Sequence, residues 1–443
     1  MTQRFDLVIG LGVTGQSCVR YLARQGTPVR ALDTRQRPPG LDACRRDFPD
    51  VPVHTGGFRE DWLDDATRLI VSPGVPVVTP EIARQSEAGK EVVGDIELFA
   101  KAAAQPVAAV TGSNAKSTVT SLLGQMAAAA GKRVAAGGNL GAPALDILAD
   151  DVELYALELS SFQLETTYSL DAQVAALLNV SPDHLDRYHS LSDYIAAKQH
   201  IYDGCQVAVW NRDDEVTRPQ KPVPAQITFG MHADADYRLD PDSGDLLRGG
   251  RVLLHRDDLL LPGNHNALNV LAALALAEAL ELPLDSSVAE ACRFAGLPHR
   301  CRHVAEAAGV RWFNDSKGTN LGATRAALEG IGPAIEGRVV LIAGGQGKGQ
   351  DFATLAEPAR TCVRAAVLIG EDGPRMGEAL DGIVAVEQAG DMTTAVRRAA
   401  ELARPGDAVL LSPGCASFDQ FDDYAARGEA FEAAVREVTH GQS

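Results

Sequence analysis

The chain has 443 residues, with 41 Lys+Arg against 59 Asp+Glu and a formal net charge of −18, an acidity that argues against a general nucleic-acid binder, which needs a basic footprint for phosphates. Hydrophobic residues make up 45% and charged residues 23%, ordinary globular composition for a chain long enough for about three domains. No apolar run reaches the roughly 18 uncharged residues of a membrane span, the N-terminus lacks a secretory pattern, and the scattered cysteines form no CxxC pair, so a reduced, cytoplasmic compartment without membrane insertion is expected.

The opening reads strand, glycine turn, helix, strand. Phe5 to Ile9 is a short apolar run, Gly10, Gly12 and Gly15 follow, and Val19, Leu22 and Ala23 mark the inner face of a helix. Pro28 to Leu32 is a second strand closed by Asp33, and Leu69 to Val71 leads into Ser72-Pro73-Gly74. This is a small α/β domain with a parallel sheet, ending near Val92. A second α/β segment starts at Val107 to Val110, followed by TGSNAKST and an Ala-rich helix. Further strands run from Leu154 to Leu157, ending at Glu158, and from Ala175 to Leu178, ending at Asn179. Residues 203–261 are richer in Pro, Asp and Gly and read as β-rich structure or a decorated edge. Asn264 to Leu282 predicts a helix with Leu268, Leu271, Ala275, Leu276 and Ala279 on one face. After a hinge-like GLPHR at 296–300, four strand-like runs (Val310–Phe313, Val339–Ile342, Ala366–Ile369 and Ala408–Leu411) alternate with helices and make a third α/β domain.

The GxGxxG of Gly10 to Gly15 directly follows a strand. Glycines there let backbone N–H groups approach a pyrophosphate at a helix N-terminus, and Asp33 stands about where a ribose-binding acid sits. Alone, the motif fits a dinucleotide, another nucleotide pyrophosphate or tight packing, and Ser72-Pro73-Gly74 reads as a second anion site or a simple turn. The TGSNAKST loop, Thr111 to Thr118, is more specific. It points N–H donors at phosphates, Lys116 adds a point charge, and the Ser117 or Thr118 hydroxyl can meet Mg²⁺. It departs from GxxxxGK[ST] in having Val110 and Ala115 where that pattern has Gly. A triphosphate loop weighs against a dehydrogenase.

The remaining polar clusters stand at strand ends, where ligands of open α/β sheets bind. They are ELSSFQLE from Glu158, PDHLDRY from Pro182, NDSKGTN from Asn314, GGQGKG from Gly344 and SPGCASFD from Ser412. Glu158 with Ser117 could hold the metal of a Mg-nucleotide, or Glu158 and His184 could be structural hydrogen-bonding groups. Asn266 and Asn269 share a helix face, as purine or ribose contacts would.

In this order and spacing, TGSNAKST, ELSSFQLE, DHLDRY, GNHNALN, LPHR, NDSKGTN, GGQGKG and LSPGCASFDQF resemble the Mur ligases of peptidoglycan synthesis, over essentially the whole chain. The resemblance implies an α/β fold of three domains: a UDP-binding Rossmann-like domain over 1–92, a central P-loop ATPase domain over 93–299, and a Rossmann-like amino-acid-binding domain over 300–443. It implies ATP-dependent addition of D-glutamate to UDP-N-acetylmuramoyl-L-alanine through an acyl phosphate, by a monomer whose third domain closes over the second.

The same resemblance distributes the residues. Gly12, Thr14, Gly15, Asp33, Thr34, Arg35, Ser72, Gly74 and Asn139 fall to the UDP-linked substrate. Gly112, Ser113, Asn114, Ala115, Lys116, Ser117, Thr118, Asn266, Asn269, Arg300 and Asp315 fall to ATP. Ser117 and Glu158 would serve one Mg²⁺, and His184 with a carbamylated Lys198 a second; Lys116, His184 and Lys198 would be the catalytic set. Lys317, Thr319, Lys348, Ser417, Phe418 and Tyr424 fall to glutamate. Ala115 stands for a usual Gly, and Gly318 where Ala is common. Three rival readings stay open: L-glutamate as the amino acid, an NAD-dependent dehydrogenase, and a non-catalytic nucleotide-binding protein.

Overall fold

The computed structural model describes residues 4–184, 187–261 and 263–440. Leu185 and Asp186 of the DHLDRY motif lie outside the described residues. The chain divides into two compact units, Met1–Val180 with Ser192–Arg238 and Val270–Ala291, and Ser181–Leu191 with Leu239–Asn269 and Cys292–Ser443.

The first unit holds two sheets. β1 (Asp6–Ile9), β2 (Val29–Asp33), β3 (Val53–Thr55), β4 (Arg68–Val71) and β5 (Glu91–Val93) form a five-stranded sheet in the order β3-β2-β1-β4-β5. All its pairings are parallel. The central strands are apolar on both faces because helices cover both; Leu7, Val8 and Ile9 are fully buried. Ile9 lies level with Leu32 and Val71, so the glycine turn, Asp33 and Ser72 leave the sheet side by side.

The second sheet is built from β6 (Val107–Thr111), β7 (Val134–Gly138), β8 (Leu154–Glu158), β9 (Val174–Leu177), β10 (Val207–Asn211), β11 (Ala225–Gly230) and β12 (Tyr237–Leu239). Within this unit the order is β12-β11-β10-β9-β6-β8-β7, again with parallel pairs. Val110 is level with Glu158 and Thr111 with Leu177, which aligns the ends of β6, β8 and β9. The helix expected from Asn264 ends at Ala279, and it is not amphipathic. Val270 to Ala277 are all buried, so its apolar residues occupy every side, and the one-faced reading is corrected to a core helix.

In the second unit β13 (Asp245–Arg248) and β14 (Arg251–His255) form an antiparallel hairpin. Its turn, Gly249-Gly250, has φ of 54° and 85°, the double positive φ that a two-residue hairpin turn needs. The third sheet contains β15 (Arg302–Ala307), β16 (Val310–Asn314), β17 (Val339–Gly344), β18 (Val363–Ile369), β19 (Ala385–Gln388) and β20 (Ala408–Leu411), in the order β15-β16-β20-β17-β18-β19. The four apolar runs expected here are β16, β17, β18 and β20; β15 and β19 are additional edge strands. Leu411 is level with both Asn314 and Ile342, so NDSKGTN, GGQGKG and SPGCASFD emerge together. Among the described residues no helix is long and apolar enough to cross a membrane.

Asp95, at the start of helix Asp95–Ala102, is a buried carboxyl in the first unit. Gln163 Nε2 donates to Oδ2 at 3.0 Å, and among the described residues Oδ1 has no hydrogen-bond partner. Burial pushes its pKa up to about 6. The fold therefore favours the protonated form, and ionisation costs stability as pH rises from about 4 to about 6. Asp95→Asn keeps an acceptor for Gln163 and removes the charge. Its thermal midpoint should exceed wild type at neutral pH and match it at about pH 4; a lower midpoint at neutral pH would contradict this balance.

Candidate active site

The glycine turn is built as a pyrophosphate-binding turn requires. Gly10 has φ of 94°, and a Cβ at Gly15 would collide with the Gly10 carbonyl. Nothing lies within 4 Å of where a Cβ on Gly12 would be, so that backbone is open to a ligand. Asp33 is turned inward. Its Oδ2 accepts from Leu11 N at 2.7 Å and Arg35 Nη2 at 2.8 Å, and its Oδ1 from Arg35 N and Nε, both at 2.9 Å. Burial pushes the carboxyl up, but the Arg35 pair and the backbone donors outweigh it and hold the pKa below the ordinary value. A carboxylate spent on four internal donors cannot also take the hydroxyls of a ribose, which weakens the dinucleotide reading. Asp33 instead fixes the glycine turn and the half-exposed Arg35, beside the exposed Thr34. Ser72 Oγ donates to the Gly10 carbonyl at 2.9 Å and ties its own turn to the first.

The TGSNAKST loop joins β6 to helix Lys116–Ala129. Asn179 grips it, since its backbone oxygen accepts from Ser113 N at 2.9 Å and its side chain exchanges bonds with Asn114 N and O at 2.8 and 3.2 Å. Lys116 Nζ folds back onto the carbonyls of Gly112 and Ser113 at 2.9 and 3.1 Å. The Lys198 ammonium, fully buried over the Tyr194 ring, also donates to Gly112 O at 2.9 Å. Two lysines thus converge on one loop carbonyl. Thr118 is buried in the first turn of the helix. Ser117 is buried as well, and Glu158, only 2% exposed, accepts from Asn139 Nδ2 at 2.7 Å. Among the described residues no three His, Cys, Asp or Glu side chains gather into a cage. One hydroxyl at the start of the helix after β6 and one buried carboxylate at the end of neighbouring β8 suit Mg²⁺, which keeps most of its water and needs few protein oxygens.

The second unit brings together the candidate residues of the third sheet. Asp315 accepts from Ser412 Oγ at 2.7 Å and Cys301 N at 3.1 Å. Burial pushes its pKa up to about 6, opposed by Ser412 and the Arg300 charge. Lys317 Nζ lies 3.7 Å from the centre of the Tyr424 ring. Thr319 N donates to Lys317 O at 2.8 Å, so the loop turns sharply on itself. Ser417 is buried while Phe418 beside it is 69% exposed. Lys348, at φ 51°, places its Nζ 3.8 Å from Asp183 Oδ1, and Asn320 Nδ2 donates to Asp183 Oδ2 at 3.2 Å. His184 follows with φ of 55° and its backbone N on Asp183 Oδ1 at 2.8 Å. Asn266 and Asn269 do share a face; their side chains are 3.4 Å apart.

Four structural partners escaped the sequence reading: Asn179, Tyr194, Gln350 and Arg427. Gln350 donates to Gly347 O and Gly414 O, both at 3.0 Å, and accepts from Leu321 N at 3.0 Å, joining three segments. Only Asn179 carried a signal, as a polar residue closing an apolar run.

Three family models match the chain in sequence: the N-terminal domain of MurD-like Mur ligases over residues 4–94, the Mur ligase middle domain over 110–277, and the Mur ligase glutamate ligase domain over 299–415. A UDP-N-acetylmuramoylalanine--D-glutamate ligase from Alcanivorax borkumensis is 62% identical over 436 residues, 98% of this chain and 99% of that protein. The chain is a Mur ligase. The enzyme of the same name from Pseudomonas aeruginosa is 48% identical over 99% of both chains. Among solved structures, MurF ligase from Thermotoga maritima in complex with ADP superposes with a TM-score of 0.63 at 16% identity, covering 100% of this chain and 96% of that one. MurC from the same organism gives 0.62 at 18% identity over the whole of both. These two share the fold.

In this Mur ligase Ala115 caps the phosphate-loop helix at φ 66° and ψ −6°. A Cβ in that left-handed region costs roughly 1–2 kcal/mol. Ala115→Gly should therefore raise stability by about 1 kcal/mol, read as a higher urea midpoint. An unchanged or lower midpoint would show that the loop holds no such strain.

Proposed function

We propose that this Mur ligase joins D-glutamate to the alanyl carboxylate of UDP-N-acetylmuramoyl-L-alanine, at the expense of ATP, in the assembly of peptidoglycan precursors. The observation that carries the reading is full-length similarity, at 62% identity, to a ligase of that name. The phosphate loop and the cationic third-domain loops support it chemically. A dehydrogenase has no use for the former, and a passive nucleotide binder no use for the latter.

The alanyl carboxylate attacks the γ-phosphorus of ATP. A new P–O bond forms, the bond to the β–γ bridging oxygen breaks, and ADP leaves an acyl phosphate. The glutamate amine then attacks the carbonyl carbon, the amine proton is lost, and phosphate departs with the electron pair of the broken C–O bond. Neutralising charge on the transferring group is the chief task of the protein. Lys116 and the N–H groups at the start of helix Lys116–Ala129 do this when Lys116 exchanges its two loop carbonyls for phosphate oxygens. Ser117 and Glu158 would hold Mg²⁺, which supplies further charge neutralisation. Gly12, Thr14, Gly15, Ser72 and Gly74 are assigned to the diphosphate, Thr34 and the Asp33-braced Arg35 to the uridine side, and Asn139 to the muramoyl side. Asn266, Asn269, Arg300 and Asp315 carry over as nucleotide contacts. Lys317, Thr319, Lys348, Ser417, Phe418 and Tyr424 meet the glutamate.

Lys198 is assigned a carbamate, with His184 as partner at a second metal. Adding CO₂ to the buried amine turns a cation into an oxygen ligand of the right charge. Lys198→Ala should then be inactive and regain part of its activity with added short carboxylates. Full activity without them would remove Lys198 from the site.

Lys348 tests the amino-acid assignment. Truncating one partner of a charge pair in a closed site costs roughly 2–5 kcal/mol, so Lys348→Ala should raise the KM for D-glutamate at least about tenfold. The KM for the UDP-linked substrate should barely move. An unchanged glutamate KM would take Lys348 out of the site, and turnover with L-glutamate alone would overturn the stereochemical assignment.

A further inference from the structure

Among the described residues the largest completely buried side chain is that of an arginine. Arg427, in helix Tyr424–His440, is 1% exposed. No carboxylate pairs with it among the described residues. Its guanidinium instead donates from Nε to Ser316 Oγ at 3.0 Å and from Nη2 to Ser316 O at 2.8 Å. Nη1 donates to Cys415 O at 3.1 Å and Ala416 O at 3.2 Å. Ser316 Oγ in turn donates to Tyr424 O at 2.7 Å, so helix and loop are tied twice. Ala416 also exchanges backbone bonds with Gln346, its N on Gln346 O at 2.9 Å and its O on Gln346 N at 3.0 Å. One planar cation thereby joins the loop after β16 to the loop after β20, and through Ala416 reaches the loop after β17.

A buried cation is expensive, and apolar packing of the same volume would serve stability at least as well. What an apolar residue cannot do is set the spacing of three strand-end carbonyls. A guanidinium fork does so because its donors lie in one rigid plane. The residues next to its acceptors are those assigned to glutamate: Lys317 follows Ser316, Ser417 follows Ala416, and Tyr424 lies one turn before Arg427. We propose that Arg427 is a positioning residue for the amino-acid substrate, holding the 316–319 and 415–418 loops at the separation at which Lys317 and Ser417 meet it. This rests on the glutamate assignment of those loops.

Arg427→Lys keeps the charge and loses the fork. Steady-state kinetics on the full-length enzyme should show the KM for D-glutamate raised about tenfold or more, as expected when reacting groups are misplaced by ångströms. The KM for the UDP-linked substrate should stay within about twofold, since its assigned residues lie elsewhere. Arg427→Ala should regain glutamate affinity with millimolar guanidinium, which refills the vacated plane, and not with ammonium. A purely structural role would lower the amount of active enzyme and leave every KM unchanged; that result in Arg427→Lys overturns the proposal, and Arg427→Lys carries the test if Arg427→Ala does not fold. Lys348→Ala, assayed in parallel, separates the two readings. If it raises the glutamate KM and Arg427→Lys does not, the positioning role fails and the glutamate assignment stands. If neither moves it, the assignment itself fails.

Discussion

A loop that binds a phosphate or a carboxylate must keep some of its N–H groups for the ligand, yet its carbonyls, half-buried at the end of a sheet, need donors. Parallel strands ending in register set that problem three times in this protein, because each sheet releases three polar loops side by side. The answer each time is a buried polar side chain brought from elsewhere. Ser72 Oγ donates to the Gly10 carbonyl, Lys198 to that of Gly112, and Arg427 with Gln350 to those of Cys415, Ala416, Gly347 and Gly414, while Asp33 and Asn179 each hold a loop N–H in place. These groups contribute little that apolar packing could not. They contribute geometry, which is what transfer chemistry needs most.

The lysines show the principle best. Lys116 and Lys198 both donate to the carbonyl of Gly112, so without nucleotide the loop is held by its own functional groups. In the proposed reaction phosphate oxygens replace the two internal acceptors of Lys116 by stronger, charged ones. Lys348 stands in a similar position beside Asp183; in the proposed reaction a substrate carboxylate would substitute for the one it faces.

Most of the fold was legible because both-face burial writes continuous apolar runs into parallel strands. The strands that escaped lie at edges. β15, Arg302–Ala307, and β19, Ala385–Gln388, contain no fully buried residue and carry polar or charged side chains, so no apolar run announces them. The helix from Asn264 was found but misread, since apolar residues at helical spacing look alike whether one side or all sides are covered. Residues of the candidate site were legible where they sit in loop motifs with glycines and hydroxyls. Asp33 was singled out for its position and yet is committed to Arg35 and Leu11. Arg427 was illegible: nothing around it in sequence distinguishes it from the exposed Arg436 of the same helix. Long-range partners of loop carbonyls are a property of topology, not of local pattern.

The proposed reaction depends on direct transfer of the γ-phosphoryl group to the alanyl carboxylate. The most direct test supplies the full-length enzyme with ATP, D-glutamate and UDP-N-acetylmuramoyl-L-alanine whose alanyl carboxylate carries heavy oxygen, and weighs the inorganic phosphate released. An acyl phosphate requires one heavy oxygen in each phosphate, with one amide formed per phosphate. Unlabelled phosphate, or phosphate released without amide formation, would contradict it.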